Sequence, residues 1–397
     1  MKIITFGCRL NSFESAVIQK LSDDLDNVIL FNTCAVTGEA ERQCRQAIRK
    51  ARRENPNARI IVAGCAAQLH PELYAAMPEV DRVLGNHEKM SVDALKGTEK
   101  IMVGDMAKQP TYLPVVSQIE GKAKAFLQIQ QGCDHACTFC VVSQIRGRNA
   151  GLKPEMVLKQ AQTFVDNGYP ELVITGVDVT GYPYGFCEII RRLLSEVNGL
   201  KRLRFGSLDP ACLDDEFVAL MASDNRLMPH LHLSIQAGDN LILKRMGRRH
   251  NREDVIALTQ KIRAICPDAV FGADFITGFP TETDAQFNQT MDLVKTAGLT
   301  HLHVFPYSAR SGTPAAKMPQ VDIHERKERA KKLRSLGEEM YGHLLDSQIG
   351  RTLKVLIEKD GMGYSENYLK VKTALNGKTG EIVDVAIKGR EANELVG

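Results

Sequence analysis

The sequence predicts an α/β protein built from an open α/β sheet, a partial parallel barrel and a small β-rich segment. In residues 1–110 short apolar runs alternate with helical patterns, and in residues 119–345 six further strand-like runs do the same. Residues 346–397 hold strand patterns with only short turns between them. The chain has 397 residues, 44% apolar and 25% charged, as is ordinary for a globular protein of two or three domains.

The first part contains three apolar runs that predict buried strands, at residues 3–6, 28–31 and 59–63. A cysteine follows the carboxyl end of each predicted strand, and the three are Cys8, Cys34 and Cys65. In an open α/β sheet the ligand crevice lies beyond these strand ends. Three cysteines that are far apart in the chain are therefore expected to converge on one site.

Helical patterns follow these strands. Asn11 is expected to cap the first helix, because Glu14 stands three residues later, as in a capping box. Cys44 is predicted to be a packed core cysteine rather than a ligand, because it shares helical spacing with four small or apolar residues, Ala40, Ala47, Ile48 and Ala51.

The second part follows a predicted linker at residues 106–124. Its six strand-like runs lie at residues 126–130, 172–175, 203–208, 231–236, 270–277 and 301–306. Helical patterns separate the runs, with one opening at Pro154, another expected to be capped by Thr281, and a long charged one over residues 322–345. Six βα units of this length predict a partial parallel barrel.

The last part changes character. The segments TLKVLIE, NYLKVKTA and TGEIVDVAIKG are strand-like and are separated by GMG and NGK turns, which predicts a small β-barrel. Eight basic residues balance eight acidic ones in residues 346–397. Such a neutral segment is a weak electrostatic clamp for RNA unless its charges segregate onto two faces.

The net charge of +3 is too small to indicate a nucleic acid partner by itself. Basic runs at residues 42–53, 244–252 and 324–334 are candidates for contacts with an RNA backbone, and the solvated face of a helix is an equal alternative for each run.

The chain is expected to be cytoplasmic and without membrane contact. No run approaches the roughly 18 consecutive apolar residues that a membrane span needs, and the start MKIITFGCRL lacks the features of a signal peptide. Thiols stay reduced in the cytoplasm, so the ten cysteines indicate metal or catalytic chemistry rather than disulfides.

Three cysteines follow the first strand of the predicted barrel, within GCDHACTFC: Cys133, Cys137 and Cys140. Three thiolates suit a four-iron cluster and leave one iron open for a substrate or cofactor. A structural zinc site is the alternative, but zinc in such sites takes four closed ligands, usually from two paired knuckles. His135 lies inside the loop as a candidate fourth ligand, and no second pair follows.

At these residues the chain resembles a known family. CDHACTFC fits the CxxxCxxC motif of the radical S-adenosylmethionine enzymes, with the aromatic Phe139 before the last cysteine. Together with GCRLNSFES, NTCAVT, VAGCAAQ, TGVDVTGY, PHLHLSIQAGD, LKRMGRRH, GFPTET and HVFPYS, it resembles the methylthiotransferases over nearly its whole length. The resemblance implies a Rossmann-like α/β domain (1–110), a partial (β/α)6 radical SAM barrel (119–345) and a TRAM-like RNA-binding β-barrel (346–397).

The family has three branches, which act on isopentenyladenosine in tRNA, on N6-threonylcarbamoyladenosine in tRNA, or on an aspartate of a ribosomal protein. GCRLNSFES and NTCAVT resemble the threonylcarbamoyladenosine branch, whereas the isopentenyladenosine branch tends to have GCQMN and NTCSIR. This implies conversion of N6-threonylcarbamoyladenosine at position 37 of tRNA to its 2-methylthio derivative. The other two substrates remain alternatives.

The resemblance also implies the cofactors and partners. A 4Fe-4S cluster on Cys133, Cys137 and Cys140 binds S-adenosylmethionine, and one electron from it cleaves the sulfonium to give a radical that attacks the unactivated adenine C2–H bond. A second 4Fe-4S cluster, matched to Cys8, Cys34 and Cys65, carries or delivers sulfur. The implied partners are tRNA carrying threonylcarbamoyladenosine, S-adenosylmethionine, an electron donor and a sulfur donor.

Further residues match the family less closely. Gly176, Val177 and Asp178 are expected to contact the amino group of S-adenosylmethionine, and Ser234 and Gln236 its ribose. Their alternative role is to satisfy local backbone groups at strand ends. Four arginines are candidates for the tRNA backbone or the threonylcarbamoyl carboxylate, with a plain surface position as the alternative: Arg146, Arg148, Arg248 and Arg249.

Two features depart from expectation or leave a role open. Only 25 residues separate Cys8 from Cys34, fewer than expected for the family. His250 and the other histidines show no ligand spacing, so none is assigned a role. Two other classes of function also stay open: an RNA-binding protein with purely structural clusters, and a radical enzyme that modifies a protein side chain.

Overall fold

The computed structural model describes residues 1–22, 24–35, 38–106, 114–374 and 377–397. The predicted boundary at residue 110, and part of the predicted linker, lie outside the described residues. No helix in the described part of the chain combines the length and the apolar character needed to cross a membrane.

The amino-terminal domain is a five-stranded parallel sheet in the order β1-β2-β3-β4-β5. Its strands are β1 (Lys2–Thr5), β2 (Val28–Thr33), β3 (Arg59–Gly64), β4 (Arg82–Leu84) and β5 (Ile101–Met102). Its helices are α1 (Arg9–Leu21), α2 (Gly38–Glu54), α3 (Cys65–Leu69), α4 (Pro71–Ala75) and α5 (Val92–Lys96). Phe31 packs with Ile48 of α2, and Leu30 packs with Ile18 of α1, so helices cover both faces. The predicted α/β domain is confirmed.

The first helix starts differently from the prediction. Cys8, not Asn11, occupies the capping position of α1. The Asn11 amide instead donates to the carbonyl oxygens of Phe6 (2.8 Å) and Thr33 (2.9 Å), and Glu14 pairs with buried cations. The predicted capping box was wrong because tertiary partners hold both side chains.

The central domain is a parallel partial barrel, as predicted, and its sixfold strand pattern is kept if β10 and β11 are counted as one strand that is interrupted at Gly206. Its two sheet segments, β6-β9-β10 and β11-β12-β13-β14, are separated at Gly206. The parallel strands are β6 (Ala125–Gln128), β9 (Glu171–Thr175), β10 (Arg202–Phe205), β11 (Ser207–Leu208), β12 (His230–Gln236), β13 (Val270–Thr277) and β14 (Leu299–Pro306). A short antiparallel pair flanks the loop that contains Cys133, Cys137 and Cys140: β7 (Gln130–Gln131) and β8 (Ala150–Gly151).

The helices of this domain are α6 (Val142–Arg146), α7 (Pro154–Asp166), α8 (Phe186–Glu196), α9 (Asp215–Ser223), α10 (Asn240–Met246), α11 (Arg252–Ile265), α12 (Asp284–Thr296) and α13 (Ile323–Asp346). The cap of α12 is Thr283, not the predicted Thr281. Thr283 forms a capping box with Gln286, whereas Thr281 takes a left-handed conformation with φ 69°.

The barrel has an apolar outer wall and a polar lumen. In β12, Leu231 and Leu233 pack in the main core, while His230 and His232 alternate with them. Because successive side chains of a strand point to opposite faces, the two histidines lie on the lumen side. His232 contacts the side chain of Asp274, which places part of β13 in the same lumen.

The carboxyl-terminal domain is a six-stranded sheet in the order β18-β15-β16-β17-β20-β19, wrapped around its own apolar core. Its strands are β15 (Thr352–Lys359), β16 (Met362–Ser365), β17 (Lys370–Lys372), β18 (Ile382–Ala386), β19 (Gly389–Glu391) and β20 (Glu394–Val396). This confirms the predicted β-rich segment.

The turn between β16 and β17 closes the amino end of the barrel. The Tyr368 ring stacks on His230 at 4.7 Å between centroids, and the Arg204 guanidinium lies 4.8 Å from the Tyr368 ring centre. Arg204 also donates to Glu171 at 2.8 Å and to the carbonyl oxygens of Ser365 and Glu366. The lumen therefore has a floor built from two domains.

The Arg204–Glu171 pair predicts a measurable stability effect. Both side chains are buried, so Arg204→Met leaves the Glu171 charge without its main partner and should lower the free energy of unfolding by about 3–5 kcal/mol. Arg191→Met removes a solvent-exposed pair with Glu216 and should cost under about 1 kcal/mol. Urea unfolding of both variants checks this, and equal losses would contradict the buried role.

Candidate functional site

The three amino-terminal cysteines lie at one edge of the first sheet, as predicted. Cys8 follows β1, Cys34 follows β2 and Cys65 opens α3 directly after β3. A Cβ atom added to Gly7 would stand 2.8 Å from Cys34 Sγ, so the backbone before Cys8 lies against Cys34. Thr33 Oγ1 accepts hydrogen bonds from the first-turn amides of α3, which ties the end of β2 to the Cys65 turn.

The spacing of these sulfurs disfavours a single metal ion. Within the described residues, Cys8, Cys34 and Cys65 form no group whose ligand atoms all lie within 4.8 Å of one another. A tetrahedral zinc with Zn–S bonds of about 2.3 Å would hold its sulfurs about 3.8 Å apart. The wider arrangement suits a larger inorganic cluster.

A buried polar network lies beneath these cysteines. Arg146 donates to Glu14 Oε1 at 2.6 Å and to Cys65 Sγ at 3.3 Å. Lys89 Nζ donates to Glu14 Oε2 at 2.7 Å and to Asn86 Oδ1 at 2.8 Å. Arg146 lies at the end of α6 in the barrel domain, so the network joins the two domains at the cysteine site.

The electrostatics of this network favour an anion above it. Burial raises the pKa of Glu14, but Arg146 and Lys89 outweigh it and hold that pKa at about 2. One carboxylate thus faces two cations, and a positive charge remains in excess next to Cys65. A cluster bound through thiolates is anionic, so this charge balance suits it.

The second set of cysteines lies in the loop between β7 and α6. Each of the three sulfurs accepts a hydrogen bond: Cys133 from the His135 amide (3.4 Å), Cys140 from the Val142 amide (3.4 Å) and Cys137 from Arg248 Nη1 (3.6 Å). Burial raises the pKa of the Cys133 thiol to about 12. Ligation must therefore displace a tightly held proton, and these donors help to stabilise the thiolates.

The residues after β9 lie beside this loop. The amides of Val177 and Asp178 both donate to Gln130 Oε1, at 3.0 and 2.9 Å, and a Cβ on Gly176 would collide with the same oxygen at 2.8 Å. Asp178 Oδ2 lies 2.8 Å from His135 Nε2. The structure thus brings Gly176, Val177 and Asp178 next to the cysteine loop.

The end of β12 completes this side of the site. The Ser234 carbonyl accepts a hydrogen bond from Arg248 Nη2 at 2.7 Å, and Gln236 takes a left-handed conformation with φ 80° at a register shift. Arg248 and Arg249 both pair with Asp209, at 3.2 and 3.0 Å. These two arginines therefore reach the cysteine loop, where Arg249 also contacts His135.

Asp209 organises the neighbouring cations. Burial raises its pKa, but the neighbouring His250 imidazole, the charge of Arg248 and a hydrogen bond from Arg249 hold the pKa well below the usual range. His250, which was assigned no role from its spacing, is buried near this carboxylate.

The other two candidate arginines lie elsewhere. Arg146 is only 3% exposed, and the network with Glu14 occupies its guanidinium, so in this structure it offers no surface to a phosphate. The Arg148 side chain is 83% exposed, with Asp134 3.5 Å away. Of these two arginines, Arg148 is the one whose exposed side chain suits a contact with RNA.

A second polar group lies deeper in the lumen. Asp274 Oδ1 is 3.1 Å from His232 Nε2 and 3.2 Å from His303 Nδ1, and the three side chains come from β12, β13 and β14. Burial raises the Asp274 pKa, but the two adjacent imidazoles hold it well below the usual range. This group was missed from the sequence, although all three residues fall on inward positions of consecutive strands.

Two family models match the chain. The Radical SAM superfamily matches residues 127–294, and Uncharacterized protein family UPF0004 matches residues 1–85. These matches coincide with the two cysteine-bearing domains.

Curated relatives extend over almost the whole chain. "Threonylcarbamoyladenosine tRNA methylthiotransferase MtaB" of Rickettsia prowazekii (strain Madrid E) is 48% identical, covering 98% of this chain and 95% of the relative. The protein of the same name from Bacillus subtilis (strain 168) is 34% identical, covering 96% and 92%. The chain belongs to the radical S-adenosylmethionine methylthiotransferase family.

A relative with another substrate name is similar at the same level as the Bacillus protein. The "tRNA-2-methylthio-N(6)-dimethylallyladenosine synthase" of Ruegeria sp. (strain TM1040) is 34% identical, covering 100% of this chain and 97% of the relative. Relatives named for either of the two nucleoside substrates are therefore similar to this methylthiotransferase.

Solved structures support the fold. The radical S-adenosylmethionine methyltransferase TsrM from Kitasatospora setae, with tryptophan substrate and a SAM analogue bound, has a TM-score of 0.55 at 15% identity, covering 78% of this chain and 67% of that one. The same enzyme with cobalamin and a 4Fe-4S cluster bound has a TM-score of 0.53 at 14% identity, covering 78% and 66%. The partial radical SAM barrel is therefore confirmed.

The family assignment fixes the coarse activity and the cofactors. This protein is a tRNA methylthiotransferase that uses S-adenosylmethionine, a 4Fe-4S cluster and, as methylthiotransferases do, a second cluster. The donor chemistry of the site fits two such groups, since a set of three free thiols lies in each of the two domains.

The first prediction for this site concerns the backbone before Cys8. Gly7 has φ 95°, and Gly7→Ala would place a Cβ 2.7 Å from Cys34 Cβ, so the variant should lose the amino-terminal cluster and about half of its iron. Gly168→Ala is the matched control, because Gly168 has φ 89° but no atom within 4 Å of the added Cβ. Iron analysis after reconstitution checks both variants, and full iron in Gly7→Ala would contradict the close approach.

The second prediction is that Cys44 is no ligand. Cys44 is fully buried in the apolar core with Ile48, and burial raises its pKa to about 12. Cys44→Ala should leave the iron content unchanged and cost about 1 kcal/mol of stability. Loss of a whole cluster in this variant, measured by iron and sulfide content, would refute the prediction.

Proposed function

We propose that this methylthiotransferase converts N6-threonylcarbamoyladenosine at position 37 of tRNA into 2-methylthio-N6-threonylcarbamoyladenosine. Cys133, Cys137 and Cys140 hold the cluster that binds S-adenosylmethionine, and a second cluster lies on Cys8, Cys34 and Cys65. The observation that carries the proposal is the pairing of two three-cysteine sets in one enzyme whose first four curated relatives bear the threonylcarbamoyladenosine name.

The second set is assigned to sulfur handling, because one cluster suffices for cofactor cleavage. When bound, S-adenosylmethionine and the reduced cluster supply the one-electron chemistry that an unactivated adenine C–H bond requires. Three protein ligands in each set leave one iron of a four-iron cluster open for an external ligand.

The residues after β9 and β12 are proposed to orient S-adenosylmethionine. Gln130 occupies the amides of Val177 and Asp178, which leaves the Gly176 carbonyl and the Asp178 carboxylate as acceptors for the ammonium of the cofactor. Ser234 and Gln236 end β12 on the same side of the barrel and are proposed to contact the ribose.

Interdomain contacts hold the two cysteine sets in a fixed relation. Arg146, six residues after Cys140, reaches Cys65. Arg310 donates to Glu41 Oε1 at 2.7 Å, which joins the end of the barrel to α2. Both pairs are largely buried, so they exclude water and resist relative motion of the domains.

Helix α2 is the proposed contact for the tRNA backbone. Its exposed residues include Arg49, Lys50 and Arg53, whereas Arg52 is occupied by the Glu79 carbonyl and Asp81. An exposed basic helix face attracts phosphates without regard to sequence. The reaction also requires an electron donor and a sulfur donor, which the proposal includes as partners.

Methylthiolation of isopentenyladenosine is the second candidate, because the dimethylallyladenosine synthases reach 34% identity over the full chain. The two candidates differ in the nucleoside that gains the methylthio group. Mass analysis of nucleosides after incubation with tRNAs of both kinds separates them.

The proposal predicts different losses from the two cysteine sets. The variant with Cys8→Ala, Cys34→Ala and Cys65→Ala should hold about half of the wild-type iron and still form 5′-deoxyadenosine with a reductant, because its barrel set is intact. It should not form the methylthio nucleoside. The variant with Cys133→Ala, Cys137→Ala and Cys140→Ala should form neither product.

Two results would refute these roles. Methylthio nucleoside from the first variant would show that sulfur needs no second cluster. Formation of 5′-deoxyadenosine by the second variant would remove the cofactor role of the barrel set.

A further inference from the structure

The Arg9 side chain reaches from the amino-terminal domain to a strand of the barrel. Arg9 directly follows Cys8 and is the first residue of α1. Its Nη1 donates to the Phe205 carbonyl at the end of β10, at 3.4 Å. Burial raises the pKa of Tyr368 on the lumen floor, but the charges of Lys124 and Arg9 outweigh it and lower that pKa. The Arg9 cation thus extends from the amino-terminal domain into the barrel.

Arg9, which is half-buried, differs from the buried arginines around the site. Arg146, Arg204 and Arg248 each pair with a buried carboxylate. Among the residues that the structure describes, no carboxylate forms an ion pair with Arg9 at 4.0 Å or less, whereas a guanidinium has five N–H donors in a planar fork. Arg9 therefore has the capacity to bind one more acceptor, and a carboxylate fits that fork best.

The lumen floor strengthens the preference for an anion. Three cations, Lys124, Arg202 and Arg204, lie there with three carboxylates, Glu171, Glu358 and Glu366. Burial, with Arg204 and nearby histidines contributing, lowers the His301 pKa to about 4, so that this imidazole is neutral at pH 7. Because these three cations and three carboxylates balance, Arg9 adds one positive charge that none of them pairs.

We infer that Arg9 binds the carboxylate of the threonylcarbamoyl substituent and thereby selects this nucleoside over one with an uncharged substituent. The inference rests on the proposed function. The adenine must approach the site of Cys8 to receive sulfur, and the next residue of the chain carries the unpaired cation. An isopentenyl group has no charge to offer Arg9, so the same position would leave that arginine without a partner.

The test compares two synthetic anticodon stem-loop RNAs that differ at one group. One carries threonylcarbamoyladenosine, and the other carries the same nucleoside with its carboxylate converted to a carboxamide. Binding and methylthiolation are measured for wild-type enzyme, Arg9→Gln and Arg9→Lys. A charge-assisted bidentate contact should make wild-type enzyme prefer the carboxylate RNA by roughly tenfold to a hundredfold.

In Arg9→Gln this preference should fall to about one, while the affinity for the carboxamide RNA stays within about twofold of wild type. Arg9→Lys should retain part of the preference, because it keeps the charge and loses the fork. Iron content and 5′-deoxyadenosine formation without RNA should match wild type in both variants. Arg49→Gln on α2 is the control, and it should weaken the binding of both RNAs by the same factor.

Four results would overturn the inference. If wild-type enzyme showed no preference for the carboxylate RNA, or if Arg9→Gln kept that preference, the carboxylate would bind elsewhere. An equal loss for both RNAs in Arg9→Gln would show a domain-docking role, and loss of RNA-independent cofactor cleavage would assign Arg9 to S-adenosylmethionine. Failure of the proposed function is distinct from these, since wild-type enzyme would then methylthiolate neither threonylcarbamoyl RNA.

Discussion

The relation between the two cysteine sets depends on one buried ion network. Arg146 belongs to the barrel domain, Glu14 and Lys89 belong to the amino-terminal domain, and all three are nearly inaccessible to water. Removing one partner from such a network leaves an uncompensated buried charge, which typically costs about 3–5 kcal/mol. The same arginine donates to Cys65, so the contact that joins the domains also touches a proposed cluster ligand.

The architecture was predictable because its signals are local. A buried parallel strand appears in the sequence as a short apolar run. Because the carboxyl ends of parallel strands meet at one edge of a sheet, Cys8, Cys34 and Cys65 could be placed together without any knowledge of their contacts. The strand that precedes Cys34 was predicted at residues 28–31 and ends at Thr33, an error of two residues. Errors of this size arise because strand ends depend on pairing partners elsewhere in the chain.

The polar contacts of the site were not predictable, because they are set by pairs that are distant in sequence. Arg146 and Arg148 stand two residues apart in the same basic stretch, yet one is buried against Glu14 and the other is exposed. Neither the composition nor the spacing of this stretch distinguishes the buried arginine from the exposed one. The role of Lys89 could not be predicted from the sequence, because its partner Glu14 lies 75 residues away in the chain and only the fold brings the two together.

The equal number of basic and acidic residues in the carboxyl-terminal domain has a structural explanation. Its residues Tyr368 and Glu358 face the barrel, where they contact His230 and Lys124, so part of its surface serves as the floor of the lumen. A face committed to such an interface gains nothing from excess basic residues, because those would repel the cations already present there. RNA affinity then has to come from surfaces that remain exposed, and the exposed basic residues of α2, the helix that follows Cys34 in the chain, form one such surface.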